Sequence, residues 1–297
     1  MTDRPNNFLG LEAEFSEYDD AAFAVLPVPY EATTTYHPGT RNGPTAIITA
    51  SQQVETFDEE LEAECCKCGA RKSGFAVATL DAVEPDASGP QAMHEKLFKI
   101  AKRIVRDGKF LFALGGEHSI TSALVRAAMT KHRKLSVLQI DAHCDLRNKY
   151  EGSPYSHACV MRRVHDLGAS IVPVGIRNVS AEEHRFMKKI KLEPVTAVHC
   201  FSDDDWLDRV LNALGDDVYI TIDIDGFDPA YAPGTGTPEP GGLDWYQVTG
   251  LLRLVAAEKN VVAADIVEVS PVPGQVVTEF LAARLAYKLM CYVQMRT

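Results

Sequence analysis

Residues 218–225 read VYITIDID, and no other stretch limits the possible folds of this chain as sharply. Val218, Ile220, Ile222 and Ile224 alternate with Tyr219, Thr221, Asp223 and Asp225. A period of two belongs to a strand with two different faces. One face is aliphatic, and the other ends in two carboxylates two residues apart. Like charges that close repel each other unless a cation sits between them. The pair therefore points to a metal ion; a solvated surface pair is the plain alternative, against which the apolar frame argues. Residues 134–145, KLSVLQIDAHCD, repeat the arrangement: Val137, Leu138 and Ile140 run into Asp141, His143 and Asp145. Strand geometry carried to the end of each run would put these alternate side chains on one side.

The rest of the chain reads as strands alternating with helices. Strands are expected at 21–28, 75–80, 109–114, 134–145, 170–176, 195–198, 218–225 and 261–269. Helices are expected from Pro44 and over 91–107, 120–129, 159–167, 181–189, 204–214, 243–257 and 277–293. This alternation predicts an α/β sandwich with a mostly parallel sheet, in which ligands at several strand ends gather at one rim. No Gly/Ser linker or polar tract divides the 297 residues, so residues 1–297 read as one domain.

A formal net charge of −11 disfavours nucleic acid and anionic membranes as partners. No run reaches the roughly 18 apolar residues of a spanning helix, and MTDRPNNFLG is too polar for a secretory leader. With seven cysteines, an odd number, a reducing cytoplasm is the expected location. Cys65, Cys66 and Cys68 cluster in CCKCG, but three thiolates without a second pair downstream fall short of a structural zinc site, and a local loop feature is the reading.

His118 stands in GGEHS, at a strand-to-helix junction where two glycines allow close backbone approach. With Asp141, His143, Asp145, Asp223 and Asp225 it makes a set of two imidazoles and four carboxylates, enough for two divalent ions. Oxygen-rich ligation suits Mn²⁺, with Mg²⁺, Fe²⁺, Co²⁺ and Zn²⁺ as competitors. Carboxylates can bridge ions roughly 3.5–4 Å apart, and such a pair ionises a water. His157 follows on a separate segment; it is either a proton carrier or the partner of a loop hydrogen bond. Glu268 ends an apolar strand; it either pairs bidentately with a planar cation or forms a salt bridge to an internal arginine.

GGEHS at 115–119, DAHCD at 141–145, SHA at 156–158 and DIDGFDPAYAPGTGTPEPGG at 223–242 together resemble the ureohydrolase family, that of arginase and agmatinase. The resemblance runs along most of the chain. The pattern DLRxxYEG…YSHAxxMRR, residues 145–163, is most similar to the agmatinase branch. The resemblance implies a three-layer α/β/α sandwich of arginase type and two Mn²⁺ per subunit. The more buried ion would take His118, Asp141, Asp145 and Asp223, and the other Asp141, His143, Asp223 and Asp225. It also implies His157 as proton shuttle, Glu268 as the group that grips a guanidinium, and a homotrimer or homohexamer.

The activity so implied is hydrolysis of agmatine to putrescine and urea, with Asp145 holding or relaying the proton of the attacking hydroxide. Another guanidino compound (guanidinobutyrate, arginine or a longer polyamine derivative) is the alternative, and a silent metal-binding regulatory or scaffold protein is the alternative of another class. The loop LRNKYEGSPYS lacks an arginase-like Asn-rich sequence and offers Arg147 and Asn148 as substrate contacts. Cys144, within DAHCD, should point away from the ligands. The run PVPGQ at 271–275 departs from relatives that carry an aspartate near Gly274, which bears on substrate range.

Overall fold

Eight of the strands form one sheet in which every neighbour is parallel. The computed structural model describes residues 5–66 and 76–295. In chain order the strands are β1 (Phe23–Val28), β2 (Phe57–Asp58), β3 (Ala63–Glu64), β4 (Val77–Thr79), β5 (Phe110–Gly115), β6 (Leu135–Ile140), β7 (Ser170–Ile176), β8 (Val195–Thr196), β9 (Asp217–Asp223) and β10 (Asn260–Val267). The helices are α1 (Gly43–Ser51), α2 (Pro90–Arg106), α3 (Thr121–Ala128), α4 (Val160–Asp166), α5 (Ala181–Ile190), α6 (Ala197–Ser202), α7 (Trp206–Ala213), α8 (Trp245–Glu258) and α9 (Val277–Met295). The sheet runs β4-β1-β5-β10-β9-β6-β7-β8, and β2 and β3 pair separately as a short antiparallel hairpin.

Parallel strands joined by helices are covered on both faces and so read as continuous apolar runs. Val25, Phe112, Leu138, Ile220 and Ala264 pack on one side with residues of α1, α6, α7, α8 and α9. Ala24, Leu111, Val137, Tyr219 and Ala263 pack on the other with α2, α3, α4 and Met187 of α5. The result is the three-layer α/β/α sandwich expected from the alternation. Local signals set the helix starts: Pro44 and Pro90 occupy first-turn positions, and Asp244 with Gln247 closes a reciprocal cap on α8.

The order of the four central strands positions the site. The chain builds β5, jumps to β6, and only later inserts β9 and β10 between them. Register then sets Ile140 beside Ile222, Asp223 beside Val267, and Ile266 beside Leu114. The residues that follow these strand ends converge on one rim.

Some local expectations give way. The strand expected over 195–198 stops at Thr196, whose hydroxyl accepts the His199 N–H and starts α6 instead. Phe75 lies outside the described residues. Cys65 and Cys66 are buried, Cys65 hydrogen-bonded to Cys291 of α9, and Cys68 lies outside the described residues. Lys288 of α9 reaches Asp58 at 2.9 Å and Glu60 at 2.9 Å, which fastens the β2–β3 hairpin to the helix. Among the described residues, no helix is long and apolar enough to cross a membrane.

Candidate metal centre

Both acidic motifs leave the strand before their second carboxylate. β6 ends at Ile140 and β9 at Asp223; beyond them His143 keeps only an isolated parallel bridge to Asn178, and Asp145 and Asp225 lie outside the strands, so continuous strand geometry does not hold them. One local device replaces it twice. Asp141 Oδ1 accepts the His143 N–H at 2.6 Å, and Asp223 Oδ1 accepts the Asp225 N–H at 3.0 Å. Each aspartate thus turns the chain by bonding its own backbone two residues on, and aims the next side chain back at the rim. Ala142 N–H then donates to Asp225 Oδ1 at 3.1 Å, tying the two turns together.

His118 arrives from β5. At Gly116 a Cβ would lie 2.0 Å from the Tyr30 carbonyl oxygen, so the close approach that the paired glycines allow is to the chain leaving β1. Asp145 and Glu268 hold φ of 51° and 62°, in the left-handed region. Such backbone costs on the order of 1–3 kcal/mol per residue and persists where its surroundings over-determine it. The Asp145 carbonyl accepts the Met161 and Arg162 N–H groups, and Glu268 N–H donates to the Gly116 carbonyl.

The donors form two groups that share Asp141: His118, Asp141 and Asp145, then Asp141, His143 and Asp225, each with ligand atoms within 4.8 Å of one another. His118 Nδ1 lies 3.3 Å from Asp141 Oδ2, 3.1 Å from Asp145 Oδ2 and 3.3 Å from Asp223 Oδ2. It is buried and makes no hydrogen bond. The other ring nitrogen explains this. Nε2 is 2.9 Å from Thr221 Oγ1, whose own hydrogen goes to Asp265 Oδ1 at 2.6 Å. Thr221 therefore accepts from Nε2–H, and Nδ1 is left with a lone pair aimed among three carboxylates. That is the state of a metal-ligating histidine fixed by its outer partner. Asp265 is itself held by Tyr219 OH at 2.6 Å and Thr121 Oγ1 at 2.8 Å. His143 Nδ1 stands 3.0 Å from Asp225 Oδ2 and 3.7 Å from Asp141 Oδ1, so the two oxygens of Asp141 face the two groups.

The electrostatics say the same. Burial pushes Asp141 up to about 7, with Asp145 and Asp225 adding repulsion. Burial, then Asp225 and Asp141, hold Asp223 well above the carboxylate range. Burial pushes His143 down, yet the acids around it, Asp225 first, carry it to about 11. Asp225 is lowered in spite of its burial, by His143. Even two fully protonated imidazoles would leave four carboxylates short of positive charge, and divalent cations fit the site.

Above the donors lies a cavity of about 200 Å³. His157, Glu268 and Arg147 line it, together with Glu183, Tyr36 and Tyr150. Asn148 is not among its lining residues: its side-chain oxygen accepts from Arg163 Nη2 at 3.0 Å, and its N–H donates to Glu182. Gly274 does not line it either. Cys144 points away as expected, with Sγ 3.7 Å from Met187 Sδ. Glu268 Oε1 takes the His118 N–H at 2.6 Å, and no arginine salt bridge to it is seen among the described residues. Burial holds its carboxyl well above the ordinary range.

Several residues that build the site carry little signal in the sequence. Thr221 and Asp265 set the His118 tautomer; an aspartate inside the apolar run VVAADIVEV was the available signal. Arg177 donates to the carbonyls of Asp225 at 2.6 Å, Glu239 at 2.7 Å and Phe227 at 3.2 Å, bracing the loop after β9. Glu183 caps α5 and accepts the Leu146 N–H at 3.0 Å.

A sequence model of the arginase family matches residues 21–292. The N(1)-aminopropylagmatine ureohydrolase of Synechocystis sp. is 42% identical over 98% of this chain and 95% of its own length. The protein of the same name from Thermus thermophilus is 40% identical over 91% and 89%. The crystal structure of agmatine ureohydrolase of Thermoplasma volcanium superposes with a TM-score of 0.83 at 30% identity, covering 97% of this chain and 94% of that one. Family match, shared fold and a metal-ready donor set agree: the chain belongs to the arginase family, as a metal-dependent hydrolase of guanidino or amidine groups.

Proposed function

We propose that this protein hydrolyses the guanidino group of a polyamine longer than agmatine, of the N(1)-aminopropylagmatine kind, to urea and the free triamine. The observation that carries the reaction is the pair of donor groups sharing Asp141 at the floor of a cavity that also holds His157 and Glu268. The names of the relatives at 40–42% identity favour the longer substrate over the agmatine suggested by the sequence pattern. Tyr36, which lines the cavity and is exposed, suits an elongated cation, because aromatic faces attract ammonium groups. Agmatine is the second reading, in keeping with the name of the Thermoplasma volcanium enzyme.

The donor set suits two Mn²⁺, with His118, Asp141, Asp145 and Asp223 around one and Asp141, His143, Asp223 and Asp225 around the other. Bound divalent ions would offset the carboxylate charge and acidify a water. Glu268 would orient the planar cation so that its carbon faces the attacking oxygen, using a carboxylate already steadied by the His118 N–H. Asp145 would take up the proton released as the C–O bond forms. His157 would deliver a proton to the departing amine nitrogen as the C–N bond breaks, since an amine leaves poorly as its anion.

The test is urea release by the Mn²⁺-loaded protein with N(1)-aminopropylagmatine, agmatine, arginine and guanidinobutyrate. The expected result is a kcat/KM about tenfold or more higher for N(1)-aminopropylagmatine than for the others. An equal or better value for agmatine would replace the proposal with the second reading. No urea from any of them, with two metals bound, would leave a silent metal-binding protein.

A further inference from the structure

Glu117 is fully buried beside the donors but faces away from them. Its carboxylate collects four donors from the chain around it. Oε2 accepts the backbone N–H groups of Ala32 and Thr33, each at 2.6 Å. Oε1 accepts the Thr33 hydroxyl at 2.7 Å and the Ser119 hydroxyl at 2.5 Å. The hydrogen of Thr33 Oγ1 is thereby committed, because a carboxylate oxygen only accepts. That hydroxyl oxygen in turn accepts the His157 backbone N–H at 3.0 Å, and its second lone pair faces His157 Nδ1 at 3.4 Å. Thr34 and Thr35 line the cavity, whereas Thr33 does not.

We infer that Thr33, braced by Glu117, is a positioning residue that sets the tautomer of His157. Nδ1 carries a hydrogen toward Thr33, so Nε2 is the nitrogen that takes up and delivers the proton. The chain Glu117–Thr33–His157 then does for the general acid what an orienting carboxylate does in other acid–base sites, through one intervening hydroxyl. The inference rests on the reading of His157 as the proton carrier. Ser156 Oγ, 3.5 Å from Nδ1, is the competing partner, and its hydroxyl could donate and impose the opposite tautomer. The Tyr150 ring stands perpendicular to the imidazole, with ring centres 6.3 Å apart.

The experiment compares Thr33→Val, Thr33→Ser, Ser156→Ala and His157→Ala in the Mn²⁺-loaded full chain. Metal content, kcat and KM are measured for each with the best substrate. Thr33→Val is expected to keep both metals and a KM within about twofold and to lose about tenfold or more in kcat. Thr33→Ser restores the hydroxyl and is expected to restore kcat. Thr33→Ala serves the same purpose as Thr33→Val if the valine distorts the loop. Wild-type kcat in Thr33→Val, beside a disabled His157→Ala, overturns the inference. So does a Thr33→Ser variant as poor as Thr33→Val, or a loss of kcat in Ser156→Ala as large as that in Thr33→Val. Normal turnover in His157→Ala overturns the proton-carrier reading instead.

Discussion

Two groups of acids in this protein are completed in different ways. Asp58 and Glu60 share Lys288, which is 3% exposed, and the chain supplies their cation itself. Asp141, Asp145, Asp223 and Asp225 share two imidazoles, with no lysine or arginine ion pair to any of them among the described residues. Burial raises Glu60, but Tyr292 and Lys288 outweigh it and hold the carboxyl at about 2. Burial raises Asp141 to about 7, and its neighbours add to the push. A structural acid cluster is closed by its own chain; a functional one is left short of charge, and a ligand completes it.

Removing Asp141 should break the comparison most. Asp141→Asn takes one carboxylate from both donor groups, so metal content should fall below two per chain and urea release by on the order of 10³-fold or more. Elemental analysis and the urea assay check both. The same substitution relieves repulsion in the metal-free protein, whose Tm should hold or rise; a large fall would mean that the cluster is structural after all.

Lys288→Met should have the opposite profile. It leaves Asp58 buried without its cation, at a cost of about 3 kcal/mol or more by denaturant unfolding. Below the new unfolding transition, turnover per folded chain should stay near wild type, since the hairpin does not line the cavity.

Thr221→Val probes the outer partner of His118. It removes the acceptor for Nε2–H, so metal affinity should weaken by about 10–100-fold, measured by competition with a chelator. An unchanged affinity would separate the Thr221–Asp265 pair from metal binding.

The pH dependence of metal-free stability should also divide the two clusters. Asp141 has a folded value above its free value of 3.8, so the folded site binds more protons there and its contribution grows as pH falls from about 7 toward 3.8. Glu60 lies below its free value of 4.5; its contribution is present above 4.5 and is lost as pH falls toward 2. Tm against pH for the metal-free wild type and Asp141→Asn should therefore converge as pH falls from about 7, the variant holding the advantage at higher pH. Parallel curves would remove Asp141 as the titrating group.

How far the site could be read in advance depends on the range of the forces that build it. The motifs around Asp141 and Asp223 were legible because apolar alternation and clustered acids are local properties of the chain. The turns were not: strand geometry was expected to carry both motifs to their last ligand, whereas it reaches His143 only as an isolated bridge to Asn178, and side-chain-to-backbone bonds from Asp141 and Asp223 turn the chain. Asn148 looked like a substrate contact from its place in the loop, yet Arg163 draws its side chain away. Periodicity reports that a residue faces the rim; it does not report which neighbour holds it.

The sequence by itself determined the alternation of strands and helices, the donor types and their order along the chain, because each follows from composition and short-range spacing. Tertiary structure alone decided that β9 and β10 lie between β5 and β6, which brings Glu268 to the backbone of His118 across 150 residues. It also decided the proton positions on His118, through Thr221 and Asp265, and on His157, through Thr33 and Glu117. The physical reason is the same for all three: strand pairing and hydrogen-bond direction are settled between residues distant in sequence, and no local pattern records who meets whom.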